Sequence, residues 1–90
     1  MDLKDARILI TGGSSGLGKG MAKVLSEAGA KVLITGRDKA KVEAVAQELG
    51  VSGISADASS EADILRTFEA VKSELGGLDV LINNAGFGEF

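Results

Sequence analysis

The densest run of chemically telling residues is Thr11-Gly12-Gly13-Ser14-Ser15-Gly16-Leu17-Gly18. Its glycines have separate physical uses. One lets a chain leaving a strand turn sharply through positive φ, another lets the backbone approach an anion, and Gly18 lets the following helix pack close to a sheet. A helix that starts in such a loop offers unpaired N–H groups and a partial positive charge, a ready pyrophosphate site. Ser14 and Ser15 add hydroxyl donors, so the candidate contacts are Gly12, Ser14, Ser15, Gly16, Leu17 and Gly18. A glycine-rich turn without a ligand would have the same composition; the place between a strand and a helix is what favours nucleotide binding. Read from Gly13 to Gly20, the stretch also fits the G-x-x-x-x-G-K part of a triphosphate-binding loop. There Gly20 replaces the Ser or Thr whose hydroxyl holds Mg²⁺, and Asp79 opens its strand instead of closing it as a second metal partner. Nucleoside triphosphate hydrolysis is the weaker reading.

Composition narrows the chemistry further. The 90 residues contain no Cys, His, Tyr, Trp or Pro. This removes disulfides, thiol nucleophiles, the usual neutral-pH base and the commonest metal ligands. Ninety residues make one domain, residues 1–90, and 44% hydrophobic residues can furnish its core. Glycine, at 13 residues, is about twice as frequent as usual, without the period of collagen or the bias of disorder. The net charge of −3 argues against nucleic acid, although residues 1–41 hold eight of the ten basic side chains and only four acidic ones. That basic half suits an anionic ligand or, more simply, coats surface helices with lysine. No apolar run exceeds three residues and the first five residues lack an apolar leader core, so the chain reads as soluble and cytoplasmic, with no membrane partner.

The elements that must hold these residues alternate between short β-branched runs and amphipathic ones. Residues 7–10 and 31–35 read as strands buried on both faces, 53–56 as a weaker third and 79–82 as a fourth. Between them, Leu17, Met21, Val24, Leu25 and Ala28 form the apolar stripe of a first helix that Gly29 ends. Val42, Val45, Ala46 and Leu49 form a second, capped by Asp38 and ended by Gly50. Ile64, Phe68, Val71 and Leu75 form a third, opened by Ser60 and Asp63 at capping-box spacing and stopped by Gly76-Gly77. All three stripes are expected to be core. The βαβαβαβ string implies a three-layer α/β/α, Rossmann-type domain with a parallel sheet. Right-handed crossovers give strand order 3-2-1-4, whose topological switch lies between the first and fourth strands. The glycine loop and Asn83-Asn84-Ala85-Gly86 follow those two strands, so a ligand is expected beyond their carboxyl ends.

With both motifs in place, the chain resembles the classical short-chain dehydrogenase/reductases. Thr11 to Gly18 matches that family's T-G-x-x-x-G-x-G, Asn83 to Gly86 matches its N-N-A-G, and Asp57 follows the third strand as in its members. The resemblance covers essentially the whole chain, which corresponds to the amino-terminal, cofactor-binding portion of a typical member. It implies a nicotinamide dinucleotide and, in a complete enzyme, hydride exchange with a small carbonyl or alcohol substrate. It also implies that Asp57 accepts from the adenine amino group, that Ala58 lines the ring, and that Asn84, Ala85 and Gly86 pass the cofactor ribose. Asp57 can equally cap or turn the chain before the third helix, and the asparagines can satisfy backbone groups at the strand end.

Cofactor choice turns on Gly36-Arg37-Asp38 at the end of the second strand. An acid there would bind the ribose hydroxyls of NAD and repel the extra phosphate of NADP. Gly36 stands where NAD-preferring members usually have the acid, and the planar, permanent charge of Arg37 suits a 2′-phosphate. NADP(H) is therefore preferred, with NAD(H) retained through the alternative in which Asp38 binds the ribose. The family's catalytic Ser, Tyr and Lys have no counterpart here, so no catalytic or metal-binding residue is assigned. These 90 residues alone are expected to be inactive. A four-stranded sheet with an apolar edge strand and a half-covered second face also predicts a further segment or a homo-oligomer. A non-catalytic nucleotide-binding module is the alternative from a different functional class.

Overall fold

The computed structural model describes residues 3–14 and 16–84. Strands and helices alternate: β1 (Arg7–Thr11), α1 (Gly16–Glu27), β2 (Lys31–Gly36), α2 (Lys39–Leu49), β3 (Ser52–Ser55), α3 (Glu61–Leu75) and β4 (Val80–Asn83). The strands are parallel and ordered β3-β2-β1-β4. This is the Rossmann-type order expected from the connectivity. Thr11 is level with Thr35 on one side and Asn83 on the other, so the two motif-bearing loops leave from one edge of the sheet.

The pleat divides the apolar runs between two faces. Ile8, Ile10, Val32 and Ile34 meet Ala22 of α1 and Val42, Val45 and Ala46 of α2. Leu9 and Leu33 point the other way, onto Val71 and Leu75 of α3. Ile8, Leu9, Ile10, Leu33 and Ile34 are fully buried, and each such side chain contributes about 1.5–3 kcal/mol by leaving water.

Two helical stripes differ from expectation. In α1 the buried residues are Gly18 and Ala22, with Met21 and Leu25 half-buried, whereas Leu17 is 70% and Val24 64% exposed. The helix meets the sheet through its smallest residues, which brings its backbone close and turns the larger side chains to its flanks. In α3, Val71, Leu75 and Thr67 are buried, but Ile64 and Phe68 are 40% and 45% exposed, because no described element covers their half of that face. The end of β3 is shifted by one residue from the expected span, and β4 begins after Asp79.

Helix ends follow the sequence more closely. Asp38 caps α2 by accepting the Lys41 N–H at 3.2 Å, and Gly50 and Gly76 close α2 and α3 in the left-handed conformation. Ser60 accepts the Asp63 N–H at 3.2 Å, but the reciprocal half of the capping box is not made. The Asp63 carboxylate instead accepts the Asp57 N–H at 2.8 Å, while the Ser60 N–H donates to the Asp57 carbonyl.

At the amino edge, Arg7 ties β1 to the start of β4. Its Nε and Nη2 each donate to the Asp79 carboxylate at 3.0 Å, its backbone N–H does so at 2.8 Å, and Nη1 reaches the Gly76 carbonyl at 3.2 Å. These hydrogen bonds, with the guanidinium charge, hold the Asp79 carboxyl down to about 2 from its usual 3.8. A carboxyl depressed by folding stabilises the native state above its unfolded pKa, and the effect is lost as pH falls through the folded value. The unfolding midpoints of wild type and Asp79→Asn should therefore differ most above pH 4 or so and converge toward pH 2. A gap independent of pH would contradict this role.

Candidate functional site

The two motifs meet where the ends of β1 and β4 lie side by side. The Thr11 hydroxyl donates to Asn83 Oδ1 at 2.9 Å and accepts the Asn84 N–H at 3.1 Å. Asn84 Nδ2 then donates to the Gly12 carbonyl at 3.1 Å. Gly12 turns the chain off β1 at φ 70°, and the Gly13 N–H bonds to the Thr35 carbonyl at 2.9 Å, drawing the loop over β2. A Cβ on Gly18 would collide with the Gly12 carbonyl oxygen and lie 2.7 Å from Asn84 Nδ2. The close approach of helix and loop expected of Gly18 is present.

Beyond this contact, α1 opens with Gly16 at φ 57°, next to open space, and with exposed Leu17. First-turn N–H groups have no acceptors within their own helix. Asp38 caps α2 and α3 carries Glu61 and Asp63 in its first turn, but α1 has no acidic residue in its first turn to compete with an anion. Ser14 is buried, and a Cβ on Gly36 would lie 2.6 Å from its Oγ and 2.8 Å from Val42. Packing by itself therefore disfavours an acidic side chain at the end of β2. Lys19, which a triphosphate loop would turn onto its phosphates, pairs instead with Glu48 of α2 at 3.4 Å. Of the expected contacts, Ser15, Ala85 and Gly86 lie outside the described residues.

Arg37 follows β2 and, with Ser55, Ala56, Asp57, Asp63 and Arg66, lines a cavity of about 260 Å³. Asp57 Oδ1 accepts both the Ser59 hydroxyl at 2.7 Å and the Ser59 N–H at 2.9 Å. The hydroxyl chiefly, then the N–H and the nearby Arg37 charge, hold the Asp57 carboxyl below the usual range. Asp63 is lowered by the Asp57 N–H and by Arg66. Arg66 Nη2 joins Asp63 Oδ1 at 3.1 Å to the Ser55 carbonyl at 2.9 Å. The turn-forming alternative for Asp57 is thus realised, and one carboxylate oxygen carries it. Ala58 is exposed and lines a neighbouring, more apolar cavity, also about 260 Å³, with Leu9, Ile64, Phe68 and Leu81.

Sequence reasoning missed Thr11 as the hub between the motifs and Arg66 as a wall of the cavity. Thr11 heads the glycine motif, and Arg66 stands three residues after Asp63, the spacing of a helical pair; those were the available signals. A larger cavity of about 500 Å³ opens at the opposite, amino edge. Its lining sets Glu27, Glu74 and the carbonyl ends of helices against a single Lys31, a balance that does not favour a phosphate. The smaller sites beside the motifs are the better candidates.

Residues 6–90 match the sequence profile of the short chain dehydrogenases. The chain belongs to this family. It is 39% identical to the uncharacterised oxidoreductase YvrD of Bacillus subtilis (strain 168), over 99% of this chain and 35% of that protein. It is 36% identical to an uncharacterised oxidoreductase of Staphylococcus aureus (strain USA300), over 93% and 38%. Among solved structures, a 3-ketoacyl-(acyl-carrier-protein) reductase from Brucella melitensis complexed with NADH superposes with a TM-score of 0.85 at 47% identity, over 88% of this chain and 34% of that one. A short chain dehydrogenase from Bacillus anthracis superposes at 0.87 and 39% identity, over 94% and 36%. The chain therefore spans about a third of the length of the curated relatives it matches. Among the described residues, no helix is long and apolar enough to cross a membrane.

Within α1 the surroundings of Gly18 and Gly20 differ. Gly18→Ala should destabilise the protein by ~1–3 kcal/mol through overpacking, since its Cβ meets backbone. Gly20→Ala, with nothing within 4 Å of the added carbon, should stabilise it by ~1 kcal/mol through helix propensity. Chemical denaturation of both variants measures the contrast; equal effects would mean that the Gly18 approach imposes no constraint.

Proposed function

We propose that this chain is the NADP(H)-binding portion of an oxidoreductase that exchanges hydride with a small carbonyl or alcohol substrate. The observation that carries the proposal is the contact of the Gly12 carbonyl, Gly18 and Asn84 beside an α1 start that has open space and no competing carboxylate. A pyrophosphate fits this arrangement through backbone N–H groups from Gly12 to Gly18, with Ser14 and Ser15 as neighbouring hydroxyls. Asn84, Ala85 and Gly86 would border the ribose, and Asp57 and Ala58 the adenine. The NADH complex of the Brucella reductase favours a nicotinamide dinucleotide in this fold. When bound, that group supplies the hydride acceptor or donor. The residues present bind and orient it. Because the sequence contains no tyrosine, the proton transfer of the reaction is assigned to residues outside these 90, in the same protein or an associated subunit.

Preference for NADP(H) over NAD(H) rests on the end of β2. Packing at Gly36 disfavours the acid that would bind ribose hydroxyls, Asp38 is engaged as the cap of α2, and exposed Arg37 lines the cavity next to Asp57. Arg37→Ala should weaken NADPH binding by about tenfold or more, the value of a charge-assisted contact, and leave NADH binding nearly unchanged. Fluorescence titration of both dinucleotides checks this, and unchanged discrimination would assign the preference elsewhere. Failure of both dinucleotides to bind would remove the cofactor reading itself.

A further inference from the structure

The apolar cavity of about 260 Å³ runs down the α3 face of the sheet. Leu9 and Leu81, which line it, are level with each other on β1 and β4, two residues before the strand ends at Thr11 and Asn83. Ile64 and Phe68 line it from α3. None of its lining residues is charged, although 26% of the chain is, so an ion has no partner there. Thr35 stands apart from its apolar neighbours. It is 5% exposed and shares the α3 face with Leu33, yet its hydroxyl has no hydrogen-bond partner among the described residues. Every fully enclosed side-chain N or O among those residues does have one, so the Thr35 oxygen is not fully enclosed and meets the void. A buried hydroxyl left in this way gains from any ligand that bonds to it.

We propose that this cavity binds a small neutral molecule with one aromatic ring and one hydroxyl, the ring against Phe68 and the strand leucines and the hydroxyl on Thr35. Size, charge and polarity each favour this class. An apolar cavity of about 150 Å³ already holds benzene, so this one admits a substituted ring. Phe68 is half-exposed and offers a ring for offset or edge-to-face contact. Convergence of apolar walls on a single unsatisfied polar group is the usual composition of a small-molecule site. The site is separate from the one proposed for the dinucleotide, which lies beyond the strand ends. Of the proposed dinucleotide contacts among the described residues, Ala58 alone lines it.

The test is titration of the protein with phenol and with toluene, followed by amide NMR shifts. Both probes should perturb Leu9, Thr35, Phe68 and Leu81. Thr35→Val keeps the shape and removes the hydroxyl, so it should lower the ratio of phenol to toluene affinity by about three- to tenfold, the net value of a neutral hydrogen bond. Thr35→Ser keeps the hydroxyl and should hold the ratio. Phe68→Ala changes a half-exposed position and should weaken both probes together by about threefold or more, the value of an aromatic contact. Phenol should stay bound when NADPH is added. Binding of neither probe by wild type would overturn the proposal, as would shifts elsewhere, displacement of phenol by NADPH, or an unchanged ratio in Thr35→Val. Unaltered binding of both probes by Phe68→Ala would overturn it even if Thr35→Val failed to fold.

Discussion

The backbone of α1 rests against the turn that leaves β1 with no side chain between them, and the rest of the site depends on that approach. Gly18 faces the Gly12 carbonyl, and Asn84 reaches the same oxygen from the end of β4. Moving that carbonyl aside to admit a Cβ would cost its hydrogen bond to the side-chain amide. The turn, the helix start and the fourth strand are thereby locked in one arrangement. Strand order makes it possible: only with β4 beside β1 does the loop after β4 come within reach of Gly12. Thr11 completes the junction by donating a hydrogen bond to Asn83 Oδ1 and accepting one from the Asn84 N–H.

The two edges of the sheet are treated in opposite ways. At the amino edge the Arg7–Asp79 pair and its backbone bonds join the outer strand to its neighbour. That pair is half-exposed, so its value lies more in register than in Coulomb energy. At the carboxyl edge the helix starts differ in charge. Asp38 serves α2, Ser60 serves α3, and α1 begins without a carboxylate. Carboxylates thus stand at the starts of α2 and α3, whereas the first turn of α1, nearest the topological switch, has none.

Much of this was legible in the sequence because it is local. Strand runs, the Asp38 cap, the left-handed glycines at 50 and 76, and the strand order each follow from short-range pattern or chain handedness. The apolar stripes were legible only in part. Period alone could not say that α1 would turn Gly18 and Ala22 inward and leave Leu17 and Val24 outside, because that rotation is set by how closely the sheet lets the helix approach. Likewise Ser60 and Asp63 have capping-box spacing, yet Asp63 bonds the Asp57 N–H. The chain bends back at Asp57 and offers that donor first.

Sequence by itself determined the alternation of elements, the family, and the identity of the two loops, since each is written in residues close together along the chain. Tertiary structure decided what those loops touch. Gly12 and Asn84, Arg7 and Asp79, and Ser14 and Gly36 are distant in sequence and meet only after the strands take their order. It also decided why Gly36 is glycine: the buried Ser14 and Val42 occupy the space a side chain would need. That steric fact is invisible in a linear pattern.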